Sequence, residues 1–134
     1  MDTVKKELVI REIVDFHANI ALWFRGQTEA KDKLFGSLLA NFHPNFLMEG
    51  PNGNRMTLSE FEAWLPSAFG KFPDREILVT AITVNLTERH ALADYVETQK
   101  TDGKTTIRKS SAVFVLQADN AVAWYHLLED WISQ

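Results

Sequence analysis

A chain of 134 residues with 46% apolar and 24% charged side chains has the make-up of one globular domain, long enough to bury a core. Its net charge of −4, with acids and bases mixed and no Lys/Arg cluster, leaves nucleic-acid binding without an electrostatic footprint. It contains no cysteine, which excludes disulfides, thiolate metal sites and a cysteine nucleophile.

The opening MDTVKKELVIREIVDF lacks the apolar core and small-residue cleavage site of a signal peptide. No apolar run approaches the ~20 residues of a membrane span. The expectation is a soluble, cytoplasmic protein with neither membrane nor nucleic acid as a partner. Within the opening segment Val9, Ile13, Phe16, Ile20 and Trp23 recur at steps of four, three, four and three, one apolar helical stripe. Lys5, Lys6, Arg11, Glu12 and Asp15 cover the other side, and Gly26 suits a helix stop. KDKLFGSLLANF predicts a second short helix over 31–39. Phe46, Leu47 and Met48 suit a short strand, and residues 50–53, Gly-Pro-Asn-Gly, are dense turn chemistry. In TLSEFEAWLPSAFG, Thr57 followed three residues on by Glu60 marks a helix start by a capping box.

From Arg75 onward the period changes to two, in segments rich in Val, Ile, Thr and aromatics. Turn signals at Glu88-Arg89, Asp102-Gly103 and Asp119-Asn120 divide it into four long antiparallel strands in a meander. The result is an α+β single domain over residues 1–134: three N-terminal helices on a curved, mainly antiparallel sheet.

The stretch WYHLLEDW, residues 124–131, spaces His126 and Glu129 three apart. On a helix they would share a face and could hold a metal together; on a strand they point to opposite faces. The strand assignment places them apart. His17, His43, His90 and His126 are too dispersed for a metal-ligand pattern, so no metal and no cofactor is expected. His17 sits one step off the helical stripe and reads as a helix-edge residue that borders any pocket. His43 reads as a loop residue, His90 as an exposed strand start, and Arg55 as a turn residue beside a pocket mouth or plain surface.

Folding the chain at the three turns sets cross-strand neighbours: Arg108 by Glu97, Ser110 by Tyr95 and Glu129, Ala112 by Ala93 and Leu127, Val84 by Ala93. One face then collects Leu78, Ile82, Val84, Leu86, Ala91, Ala93, Tyr95, Glu97, Arg108, Ser110, Ala112, Phe114, Tyr125, Leu127 and Glu129. It is apolar at one end and polar at the other, with Arg108 between the carboxylates of Glu97 and Glu129. The small Ala91, Ala93 and Ala112 leave room beneath the helices. The opposite face, with Leu92, Val96, Val113, Val115, Trp124, His126 and Leu128, is half apolar and suits a homodimer contact through Trp124, His126 and Leu128.

The helix ending near WFRGQ, then LLANFHPNFLMEGPNG, then RMTLSEFEAWL, and the meander closing with VFVLQADNAVAWYHLLEDW together resemble the nuclear transport factor 2-like superfamily, the cystatin-like cone of ketosteroid isomerases and polyketide-cyclase-like proteins. The resemblance covers nearly the whole chain and implies a cone with an internal pocket between helices and concave sheet, commonly a dimer through the sheet. It also implies three catalytic positions in ketosteroid isomerases, which fall here at Gly50, Asn19 and Ala112. None carries the required group, so steroid isomerisation is not carried over.

The pocket candidates are therefore Trp23, Phe46, Met48, Trp64 and Phe114 for an apolar wall, with Tyr95, Arg108, Ser110, Tyr125 and Glu129 at a polar rim; Phe61 and Leu65 belong to the same set. Most of the apolar ones read equally as core. Three functions stay open: a binding domain for a small apolar or amphipathic molecule; an acid–base enzyme of the isomerase, dehydratase or cyclase kind using Glu129, Glu97, Arg108 and Tyr95; and a non-catalytic dimeric interaction protein. A carboxylate beside Arg108 is expected to have a lowered pKa, which favours binding over catalysis.

Overall fold

The first helix, α1, runs Asp2–Arg25 in the computed structural model, which describes residues 2–134. It stops in a Schellman turn: Gly26 at φ 69° donates its N–H to the Trp23 carbonyl at 3.1 Å, and Gln27 donates to the Leu22 carbonyl at 2.9 Å. A Cβ on Gly26 would stand 3.1 Å from the Cα of Gly70, whose N–H also donates to Trp23. Two loops meet here without room for a side chain. Gly26→Ala should therefore lower stability by about 1–2 kcal/mol, read as a lower urea midpoint at unchanged slope. An unchanged midpoint would show that the two loops separate freely.

The second helix, α2, spans Lys31–Leu39, the range the sequence predicts. Strands β1 (Phe42–Glu49) and β2 (Arg55–Thr57) form a hairpin around the predicted turn, so Arg55 lies on a short strand rather than in the turn. Helix α3 (Leu58–Ala68) starts at the Thr57–Glu60 capping box, with both reciprocal hydrogen bonds formed. Strands β3 (Glu76–Leu86), β4 (His90–Thr101), β5 (Lys104–Leu116) and β6 (Val122–Ser133) follow as the antiparallel meander. The sheet order is β2-β1-β6-β5-β4-β3, and β1 joins β6 in parallel. The six-stranded sheet is mainly antiparallel and does not close. Asp102 and Gly103 both take positive φ, as a two-residue hairpin turn requires, and Thr101 pairs with Lys104.

The expected neighbours Glu97–Arg108, Tyr95–Ser110, Ala93–Ala112, Ser110–Glu129, Ala112–Leu127 and Val84–Ala93 all occur. Four irregularities interrupt the pairing among the described residues: one passes over Ile132 in β6, as Ile107 pairs with Ser133 and Arg108 with Trp131, one shifts β1 on β6 between Phe42 and Leu47, and two bulges overturn the expected faces. In β3, Thr80 pairs with Val96 and Thr83 with Asp94, so Ala81 and Ile82 together oppose Tyr95, with Ala81 at φ 56°. In β6, Val113 pairs with His126 but Phe114 with Trp124, so Tyr125 is passed over.

Each bulge exchanges the faces beyond it and corrects the sequence reading. Leu78 is on the outer face and 60% exposed, while Ile77 and Val79 face inward. Trp124 is buried on the inner face, and Tyr125 is exposed on the outer one against His43. His126 and Glu129 do lie on opposite faces, paired with Val113 and Ser110.

All three helices cover the inner face. One core cluster packs Val9 and Ile13 of α1 on Ala91, Ala93, Ala112, Phe114 and Leu127 of the sheet. A second gathers Ile20, Trp23, Leu34, Leu38, Phe61 and Leu65 between the helices. Phe16 and Phe42 bridge the two. No helix among the described residues is long and apolar enough to cross a membrane.

Candidate functional site

Between α1, α3 and the inner face of the sheet lies a cavity of about 160 Å³. Its wall is aromatic. Phe16 and Phe24 come from α1, Phe42, Phe46 and Met48 from β1, Phe61 and Trp64 from α3, and Trp124 from β6. The bulge in β6 is what turns Trp124 inward, where it stacks on Phe42 with ring centroids 5.8 Å apart and donates Nε1–H to Glu12 Oε2 at 2.9 Å.

One end of the cavity is polar. His17 of α1, Glu97 and Gln99 of β4, Arg108 of β5 and Glu129 of β6 all border it. His17 Nδ1 lies 2.7 Å from the Ile13 carbonyl, one helical turn back, and Nε2 lies 3.1 Å from Glu97 Oε1. Both neighbours are acceptors, so the ring satisfies them together only as the doubly protonated imidazolium. Burial opposes that charge, but the Glu97 hydrogen bond, its charge and the Ile13 carbonyl outweigh it, and the His17 pKa is raised. Burial likewise pushes the Glu97 carboxyl up, and is outweighed by His17, by the Gln99 amide 2.6 Å from Oε2, and by Arg108, so Glu97 is held well below the usual carboxylate range. The pair is an imidazolium–carboxylate bridge that ties α1 to the sheet at the cavity end.

Arg108 does not hold both carboxylates as the sequence suggested. Its Nη1 lies 3.4 Å from Glu129 Oε1, and its guanidinium lies 4.8 Å from the centroid of the Trp131 ring. Glu97 has turned to His17 instead, because α1 offers a second cation on the inner face. Glu129 also accepts from Ser110 Oγ at 3.2 Å. The expected lowering of its pKa is not found. Burial and the charge of Glu97 raise it, and Arg108 and Ser110 do not compensate. The two carboxyls of one cavity end are thus driven in opposite directions.

Tyr95 stands behind this end, fully buried beside His17 with ring centroids 5.3 Å apart. Burial, then the charges of Glu97 and Glu129, raise its pKa well above the ordinary phenol value, so it stays a neutral donor. Its hydroxyl has no hydrogen-bond partner among the described residues.

Of the residues singled out from sequence, Phe46, Met48, Phe61, Trp64, Glu97, Arg108 and Glu129 border the cavity. Tyr95 and Ser110 support its polar end from behind. Trp23 and Phe114 are core: Trp23 is buried and donates Nε1–H to the Leu65 carbonyl at 2.8 Å, and Phe114 packs on Trp124. Tyr125 is on the outer face and does not reach the site. His17 is the residue the sequence reading underrated. It is buried, and the series Val9, Ile13, His17, Ile20, Phe24 has steps of four, four, three and four, so it lies inside a helical stripe rather than at its edge.

The three residues at which the sequence resemblance put the catalytic positions of ketosteroid isomerases lie apart in the structure. Gly50 is in the β1–β2 turn, Ala112 is core, and Asn19 faces a separate groove with Glu12 and Asp15. No group of three or more His, Asp or Glu side chains that could hold a metal occurs among the described residues.

No protein-family model matches the chain, and no curated protein matches it. Solved structures do. A nuclear transport factor 2-like protein of unknown function from Pseudomonas aeruginosa superposes with a TM-score of 0.87 at 24% identity, over 94% of this chain and 99% of that one. A candidate scytalone dehydratase from Novosphingobium aromaticivorans gives a TM-score of 0.75 at 12% identity, over 97% of this chain and 85% of that one. A candidate ketosteroid isomerase from Parabacteroides distasonis gives 0.59 at 10% identity, over 73% of this chain and 75% of that one. The fold is therefore nuclear transport factor 2-like, as the sequence resemblance implied.

Proposed function

We propose that the protein binds a small, mostly apolar molecule whose one polar group meets the cluster of His17, Glu97, Gln99, Arg108 and Glu129. The observation that carries this reading is the division of the cavity: an aromatic wall at one side, and ionisable groups from four different elements converging at the other. A core that only filled space would have no reason to bury two carboxyls, an imidazolium and a guanidinium together, since each costs desolvation. The test is a fragment screen by protein-observed NMR. Shifts should concentrate on Phe46, Met48, Trp64 and Gln99. Apolar single-ring fragments that leave these signals unmoved would count against a working pocket.

A second reading is favoured by one further observation: two carboxyls share one cavity end, with Glu97 held by His17 at 3.1 Å and Gln99 at 2.6 Å, and Glu129 held more loosely by Ser110 at 3.2 Å and Arg108 at 3.4 Å. On it the same pocket performs acid–base chemistry of the isomerase or dehydratase kind, with Glu129 as the group that gives and takes the proton. Two of the similar structures are named for reactions of this kind.

The uncovered outer sheet face supports the proposal of a homodimer, with the contact revised to exclude Trp124. Leu92 and Leu128 are exposed there beside His126, and Leu78 extends the surface. Leu128→Glu should shift the protein from dimer to monomer in sedimentation velocity at micromolar concentration, with little change in thermal stability of the monomer unit. A wild-type protein already monomeric at that concentration removes this contact.

A further inference from the structure

We infer that the molecule this pocket takes is a compact organic acid of about one ring, its ring held among Phe42, Phe46, Phe61 and Trp64 and its carboxylate on the Arg108 guanidinium. This rests on the pocket reading above and adds the ligand's size and charge.

Size follows from volume. A cavity of about 160 Å³ is close to the roughly 150 Å³ that admits a benzene ring, and well below the roughly 300 Å³ at which drug-sized sites begin. The aromatic edges and faces around the space suit a flat ring.

Charge follows from counting partners at the polar end. His17 and Glu97 neutralise each other at 3.1 Å. Arg108 meets Glu129 through one nitrogen at 3.4 Å, longer than the roughly 2.7–2.9 Å of a well-formed charged hydrogen bond, and otherwise has the Trp131 ring 4.8 Å from its guanidinium and the charge of Glu97, which is hydrogen-bonded elsewhere. Glu129 is crowded by Glu97 and by burial toward its neutral form, while Ser110, Tyr95 and His17 face it without adding a second negative charge. Arg75 lies close enough for its charge and that of Arg108 to oppose each other. The guanidinium therefore borders a low-dielectric space with its charge incompletely matched. Its Nε has no hydrogen-bond partner among the described residues. Guanidinium nitrogens donate and never accept, so the complementary ligand group is an acceptor, and a planar anion fits a planar fork better than a neutral carbonyl.

The experiment compares benzoate, benzamide and toluene by calorimetry and NMR titration against wild-type protein and Arg108→Gln. Benzoate should bind wild type about ten- to a hundredfold more tightly than benzamide, the scale of one charge-assisted contact. Arg108→Gln should weaken benzoate by that ten- to hundredfold margin and benzamide by much less, so that the preference for the anion is lost. Equal affinity for benzoate and benzamide, or unchanged benzoate binding in Arg108→Gln, overturns the inference. Toluene shifting the Phe46 and Trp64 signals while benzoate does not bind overturns the acid alone and leaves the pocket standing. If none of the three perturbs the pocket, both readings fall. The wild-type comparison decides the matter even if Arg108→Gln does not fold.

Discussion

Replacing His17 by leucine should lower stability by about 3 kcal/mol, a fall in Tm of roughly 10 °C, although the new side chain is apolar and sits inside an apolar helical stripe. The cost comes from what stays behind. Glu97 keeps Gln99 and the nearby Arg108 but loses the cation 3.1 Å away that compensates its burial. Both side chains are under a tenth exposed, so solvent screens the pair little. A cycle with Glu97→Leu separates this from packing. The double variant, with an apolar pair in place of the bridge, should recover much of the loss, because it strands no charge. If the two single losses simply add, the bridge is not the cause.

The same pair fixes a pH dependence. The His17 pKa is above its ordinary 6.5, so its contribution is complete below 6.5 and fades as pH rises through the raised value. The Glu97 pKa is below its ordinary 4.5, so its contribution is complete above 4.5 and fades as pH falls through the lowered value. The pair therefore stabilises most between 4.5 and 6.5. Glu129, with its pKa raised from 4.5, contributes in full below 4.5 and loses that contribution as pH rises through the raised value, so its loss begins inside this window and draws the optimum toward the acid side. Denaturation midpoints across pH should show this optimum, and His17→Leu should remove the His17 part of the alkaline limb.

What was legible in the sequence divides along a physical line. Helix limits were readable because their signals are local: Gly26 at a Schellman turn, Thr57 and Glu60 in a capping box. The strand pairing was readable because Asp102-Gly103 sets a two-residue turn, and register then propagates to Glu97–Arg108 and Ser110–Glu129. It stopped being readable at the bulges. Ala81 and Tyr125 carry no glycine or turn signature, yet each exchanges the faces beyond it, which is why Leu78, Trp124 and Tyr125 were misplaced. Which partner Glu97 takes is a third kind of question. It depends on how α1 lies across the sheet, and a two-dimensional strand layout does not contain α1. The same omission hid the sign of the Glu129 shift, because one neighbouring cation was counted and burial was not.

Glu129→Gln should leave ligand binding within a few-fold of wild type and reduce any proton-transfer turnover by about 10²–10⁴-fold. Glutamine keeps the shape, with its oxygen in place of Oε1 to accept from Arg108 Nη1 at 3.4 Å and its amide nitrogen in place of Oε2 to donate to Ser110 Oγ at 3.2 Å, but it cannot take up or release a proton as a carboxyl does. The readout need not await a product. With a ligand bound, exchange of its acidic C–H for deuterium, followed by NMR in D2O, reports proton abstraction directly. Wild type should catalyse the exchange and the variant should not, while titration shows the ligand still seated. Exchange that survives in the variant would remove Glu129 from the chemistry and leave a binding pocket. The raised pKa adds a check that needs no ligand. Because the folded protein disfavours the ionised carboxyl, the glutamine variant should gain stability relative to wild type as pH rises through the Glu129 pKa, whereas a lowered pKa would give the opposite slope. A positive slope together with lost exchange would tie the burial of Glu129 to its work: the environment that weakens it as an ion is the one that poises it to hand over a proton.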